Sequence, residues 1–165
     1  MTLAVLNARD RESFVDAVGW VFEHSPWVAS RAWEQRPFVS LDRLHAAMTA
    51  EVDAATLDEQ LALLRAHPDL GTRARMSEAS VDEQRGAGLD ALAADERDRL
   101  QRLNAAYRER FGFPFLLAVK GSTTAQVLAA LERRLPADDE AERAEALRQV
   151  ARIARFRLET ILTEA

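Results

Sequence analysis

The sequence predicts an all-α fold, a compact single-domain bundle of about eight helices with irregular connections over residues 1–165. Apolar residues recur at three- and four-residue spacing in almost every ordered stretch, which is the period of a helix with one buried face. Helix-capping residues stand directly before several of these stretches. One apolar run, Leu116-Leu117-Ala118-Val119, has strand character. No second run offers itself as its partner, so it reads as a buried extended segment.

Phe14, Val18, Val21 and Phe22 share one face of a first helix, with Asn7 as its expected cap. His24-Ser25-Pro26 breaks the chain. Ser25 suits an N-cap and Pro26 the first position of a short helix carrying Trp27, Val28 and Ala32, which Arg36-Pro37 ends. Ser40 caps the next helix, with Leu41, Leu44, Met48 and Val52 on one side. Thr56 and Glu59 have capping-box spacing and open a helix that turns Leu57, Leu61 and Leu64 inward. Pro68 biases His67 away from the α region and ends that helix. Ser80 and Glu83 have the spacing of a second capping box, and Gly86 and Gly88 close the helix it opens. A longer helix carries Leu100, Leu103, Tyr107 and Phe111. Beyond the Phe111–Ser122 interruption, Thr123 or Thr124 starts a helix with Val127, Leu128, Leu131 and Leu135. Pro136 to Asp139 turns the chain into a final helix, whose expected apolar face is Leu147, Ala151, Ala154, Leu158 and Ile161.

Composition narrows the function. A chain 48% hydrophobic and 30% charged is globular in character. A net charge of -5 and a pI near 5.3 exclude a general nucleic-acid binder. With no cysteine there is no disulfide, thiolate metal site or cysteine nucleophile. The first residues lack the basic start and long apolar core of a signal peptide, and no apolar run reaches membrane-spanning length. The expected setting is the cytoplasm, with no membrane and no nucleic acid as partner.

Three histidines are present, and none has metal-ligand spacing. His45 reads as a boundary residue of an amphipathic helix and His24 as a structural hydrogen-bonding group. His67 stands at a helix end, where its ring is expected at a rim. It is either a structural cap or an acid–base group, since imidazole titrates near neutrality. Glu83 either completes a cap or accepts hydrogen bonds from a ligand. Angular bookkeeping at about 100° per residue puts Arg157 beside the apolar face of the last helix, between Val150 and Ile153, and Arg152 nearly opposite. Arg157 is thus either half of a structural ion pair or the holder of an anionic ligand.

These motifs together resemble one family. FEHSPWVASRAW (22–33), LLRAHPDLGTRA (63–74), SVDEQRGAGLD (80–90), LNAAYRERFGFPFLLAVKG (103–121) and IARFRL (153–158) are similar, in order, to 2-oxo-4-hydroxy-4-carboxy-5-ureidoimidazoline (OHCU) decarboxylases of urate degradation. The resemblance implies an all-helical homodimer, without metal or organic cofactor, that converts the small molecule OHCU to (S)-allantoin and CO2. It puts the catalytic histidine at His67, with Glu83 beside it in that role. Substrate contacts fall on Pro68, on Ser80, Val81, Asp82, Glu83 and Gln84, and on a largely backbone stretch of Phe115, Leu116, Leu117, Ala118 and Val119. The family's C-terminal arginine matches Arg157, with Arg155 as the other register. Two further readings stand beside it: a hydrolase of a related ureide, and a non-catalytic helical interaction module on the same fold.

Overall fold

The structure is a computed structural model that describes residues 1–71 and 78–163, with only the backbone of Glu78. The described residues form nine α-helices, two short 3-10 turns and no strand; one isolated bridge joins Thr2 to Thr163. The chain divides into two compact units, Met1–Ala66 with Val150–Ala165, and His67–Gln149.

The first unit contains α1 (Leu3–Asn7), α2 (Arg11–Val18), α3 (Trp27–Ala32), α4 (Leu41–Asp53), α5 (Leu57–Arg65) and the second half of α9 (Asp139–Ile161). Helix α3 packs on α2 and α4, and α1 on α2. The buried faces supply Leu6, Phe14, Val18, Val28, Leu44, Met48 and Leu63, all fully removed from solvent. Ser40 and Thr56 cap α4 and α5 as expected, Thr56 in a reciprocal box with Glu59.

Two expected caps have other work. Asp10, not Asn7, accepts from the Ser13 amide at the start of α2. Asn7 ends α1, a helix too short for its periodicity to register, and its amide clasps the Phe38 backbone through N–H and C=O bonds of 2.8 Å each. Ser25 sends its hydroxyl to the Glu23 carbonyl at 2.9 Å, leaving α3 without a side-chain cap.

The second unit contains α6 (Glu78–Gly86), α7 (Ala94–Phe111), α8 (Thr124–Arg134) and the first half of α9. Helix α7 packs on α8. It ends at Gly112, whose φ of 77° places it in the left-handed region that glycine enters without a Cβ penalty. Tyr107, Phe111, Phe113 and Phe115 form an aromatic cluster with ring centroids 4.6–6.1 Å apart. The run Leu116–Val119 is irregular and buried except for half-buried Leu117, as its lack of a partner strand implied. Thr123 caps α8 in a box with Gln126.

Helix α9 departs most from its pattern. Its buried positions are Glu142, Ala146, Gln149, Val150, Ile153, Ala154, Arg157 and Leu158, while Leu147, Ala151 and Ile161 are half-exposed. The buried stripe is rotated from the expected one because three polar residues occupy it.

Candidate active site

In the second unit, the loop after α5 and helix α6 are brought together. His67 is the first residue beyond the Ala66 C-cap of α5, and it is buried, 6% exposed, rather than standing at a rim. Pro68 and Asp69 are half-buried. The Gly71 amide donates to Gln84 Oε1 at 2.9 Å, so the loop is tied to α6 by its backbone. Two residues of α7 hold the same loop: Asn104 Nδ2 donates to the Leu70 carbonyl at 2.9 Å, and Arg108 pairs with Asp69 at 3.1 Å. Neither was singled out from the sequence. Asn104 interrupts an apolar stripe, and that interruption was the available signal.

Gly71 is needed on two counts. Its φ of 72° lies in the left-handed region, and a Cβ there would stand 2.6 Å from Leu100 Cδ2 and 3.4 Å from Leu92 Cδ1. Gly71→Ala is expected to destabilise the protein by more than the ~1–2 kcal/mol of a left-handed residue alone. Gly88→Ala provides the comparison, since Gly88 also has positive φ but a Cβ there meets only Thr124 Oγ1 at 3.5 Å. Urea midpoints of the two variants should differ, with Gly71→Ala lower.

Helix α6 is already formed at Glu78, so Ser80 lies inside it and is not its N-cap. Ser80, Gln84 and Ala87 are buried along one face, Val81 and Glu83 are half-buried beside it, and Asp82 is exposed. Of the two buried polar side chains on that face, Gln84 is the one that holds Gly71. The polar loop expected between the two helices, residues 72–77, lies outside the described residues.

The third group, Phe115 to Val119, is held by side chains. Arg134 Nη1 donates to the Leu116 carbonyl at 2.5 Å, and the Ala118 amide donates to Gln149 Oε1 at 3.0 Å. Gln149 is in turn held by Glu145 at 2.8 Å.

Arg157 belongs to the first unit. It is 3% exposed and its Nη1 lies 2.8 Å from Glu23 Oε2, itself 1% exposed, and 3.3 Å from the Val21 carbonyl. Arg155 is committed elsewhere, to Asp42 and, at 2.8 Å, to Glu159. Arg152 is exposed. The helical register therefore separates buried Arg157 from exposed Arg152, as the angular count implied. Among the described residues no group of three or more His, Asp or Glu side chains is placed to hold a metal ion. His45 instead meets the Ala151 carbonyl at 2.7 Å, and His24 is exposed beside Glu23.

A family model described as OHCU decarboxylase matches residues 7–159. The chain belongs to the OHCU decarboxylase family. It is 50% identical over 158 residues to the 2-oxo-4-hydroxy-4-carboxy-5-ureidoimidazoline decarboxylase of Haloferax volcanii, covering 96% of this chain and 94% of that one. It is 47% identical to a uric acid degradation bifunctional protein of Bacillus subtilis, covering 99% of this chain and 33% of that protein. A crystal structure of (S)-allantoin synthase is similar with a TM-score of 0.81 at 34% identity, over 98% of this chain and 54% of that one. The all-helical fold expected of an OHCU decarboxylase is the fold observed.

Proposed function

We propose that this protein is a cofactor-free carboxy-lyase that converts OHCU to (S)-allantoin and CO2 in urate degradation. The observation that carries the reading is the near-full-length identity to relatives named for that reaction. The tie between the histidine loop and the polar face of α6 supports it locally.

The substrate supplies its own electron sink. Heterolysis of the bond to the carboxylate releases CO2 and leaves an electron pair on the hydroxyl-bearing carbon. The adjacent C=N bond accepts that pair: a carbon–carbon double bond forms and the ring nitrogen takes a proton. The resulting enol then loses its hydroxyl proton as the ureido-bearing carbon gains a proton on one face, which gives allantoin of one hand. No metal or organic cofactor is required by this electron count.

In this reading His67 is the acid–base residue, and its hydrogen bonding reaches the hydroxyl and carboxylate region of the substrate. Pro68 contacts the substrate beside it. Within the substrate-binding stretch Ser80 to Gln84, Glu83 and Gln84 hold the ureido and ring N–H or carbonyl groups. The Phe115–Val119 backbone fixes the ring plane, and Arg157 orients an anionic or carbonyl oxygen. Burial of His67 fits a water-poor site, where a carboxylate turning into neutral CO2 is favoured. The family model runs through both compact units, which supports treating the chain as one functional domain. The protein acts in the cytoplasm as a homodimer; no helix among the described residues is long and apolar enough to cross a membrane. For the dimer, Trp27 and Trp33 are both left half-exposed, with Arg31 and Arg36 stacked on them at 4.5 and 3.8 Å.

Freshly generated OHCU supplied to the enzyme should yield CO2 and a circular-dichroism signal of (S)-allantoin, unchanged after exhaustive chelation. Light scattering of the same sample should give the mass of a dimer. Ring opening without CO2 release would favour a ureide hydrolase. No turnover by a folded sample would favour a binding module.

A further inference from the structure

Behind the Phe115–Val119 segment lies a charged network that the sequence did not announce. Glu142 on α9 is 2% exposed and Arg134 on α8 is 7% exposed. Arg134 Nε lies 2.7 Å from Glu142 Oε1, and Nη2 approaches the same oxygen at 2.5 Å. The fully buried Tyr107 of α7 donates its hydroxyl to that oxygen as well, at 2.5 Å. Burial, with the Glu142 carboxylate next, pushes the Tyr107 hydroxyl well above its ordinary range, so it stays a donor. The remaining end of the guanidinium, Nη1, holds the Leu116 carbonyl, and the guanidinium carbon stands 4.6 Å from the Phe115 ring centroid. The Tyr107 ring meets Phe115 edge-on at 5.3 Å.

A buried ion pair is weak support for stability, because apolar residues of similar volume fill such a space as well or better. What this arrangement supplies is direction. Tyr107 and Glu142 leave the guanidinium one orientation, and that orientation fixes where the Leu116 carbonyl points. We propose that Tyr107, Glu142 and Arg134 are positioning residues for decarboxylation, which set the backbone of Phe115–Val119 against the substrate ring. The inference rests on the reading above that this backbone contacts substrate.

Arg134→Lys keeps a cation for Glu142 but lacks the fork that reaches Glu142 and Leu116 together. It should raise KM about tenfold, as expected for a site misplaced by a fraction of an ångström, and lower the excess of (S)-allantoin. Tyr107→Phe keeps the ring and removes one hydrogen bond, so it should move both readouts in the same direction by less. Amide hydrogen exchange with (S)-allantoin bound separates the two levels of the argument. In the wild-type chain the 115–119 amides should gain protection, and in Arg134→Lys most of that gain should disappear. Protection and kinetics equal to wild type in a folded Arg134→Lys protein would overturn the positioning role while leaving the substrate contact intact. No gain in the wild-type chain would overturn the contact and the positioning role with it. If Arg134→Lys does not fold, wild-type KM and product handedness in Tyr107→Phe overturn the proposal.

Discussion

His67→Asn should lower the decarboxylation rate per folded molecule by about 100-fold or more, the usual scale for removing a positioned acid–base group. It should also erode the handedness of the product, since protonation without a directing group takes place on either face. Asparagine retains a polar end of similar reach but cannot exchange a proton near neutrality. Because His67 is buried just past the end of α5, some loss of stability is expected too. Rate must therefore be divided by the folded fraction measured on the same sample. A residue that only terminated α5 would give the reverse pattern: a lower melting temperature with normal turnover and normal (S)-allantoin excess among the surviving molecules. That pattern would remove His67 from the chemistry.

Arg157→Ala should have the largest effect on stability. It leaves the Glu23 carboxylate, 1% exposed, without the guanidinium that lies 2.8 Å from it. Breaking a buried pair from one side costs about 3–5 kcal/mol, because the remaining charge stays desolvated. Arg152→Ala, on the exposed side of the same helix, should change stability by no more than about 0.5 kcal/mol. The double variant Glu23→Gln with Arg157→Met removes both charges at nearly constant volume. It should recover most of the stability lost in Arg157→Ala. If the arginine also orients substrate, KM stays raised in the recovered protein. A return of both stability and KM to wild-type values would assign Arg157 to the fold alone.

Residues whose partners are near in sequence were legible. Ser40, Thr56 and Thr123 each satisfy a backbone amide three positions on, a relation written in the local text. Asn7, Ser25 and Ser80 have the same residue types and do other work. Asn7 binds Phe38, 31 positions away, and Ser25 binds back to Glu23. Ser80 lies within a helix that begins earlier. A capping rule sees the residue and not its competing partners. The same limit hid much of the candidate site. The loop of His67 to Gly71 stood out because a proline and a glycine punctuate it. Asn104, Tyr107, Arg134 and Glu142 act through contacts 8 to 35 positions apart. Nothing in local periodicity reports those. Arg157 was an intermediate case: its angle on the helix was readable, but its partner Glu23, 134 positions away, was not.

The division of the chain into two units also divides its chromophores. All three tryptophans, Trp20, Trp27 and Trp33, fall within Met1–Ala66, and the single tyrosine, Tyr107, falls within His67–Gln149. Indole emission thus reports one unit, and near-ultraviolet absorbance of the phenol reports the other. A denaturation curve followed by fluorescence alone is blind to the unit that carries His67 and α6. Two probes that trace one superimposable transition would describe a chain melting as a single cooperative body. Curves that separate would mean that the loop of His67 can open while the tryptophans still glow as native.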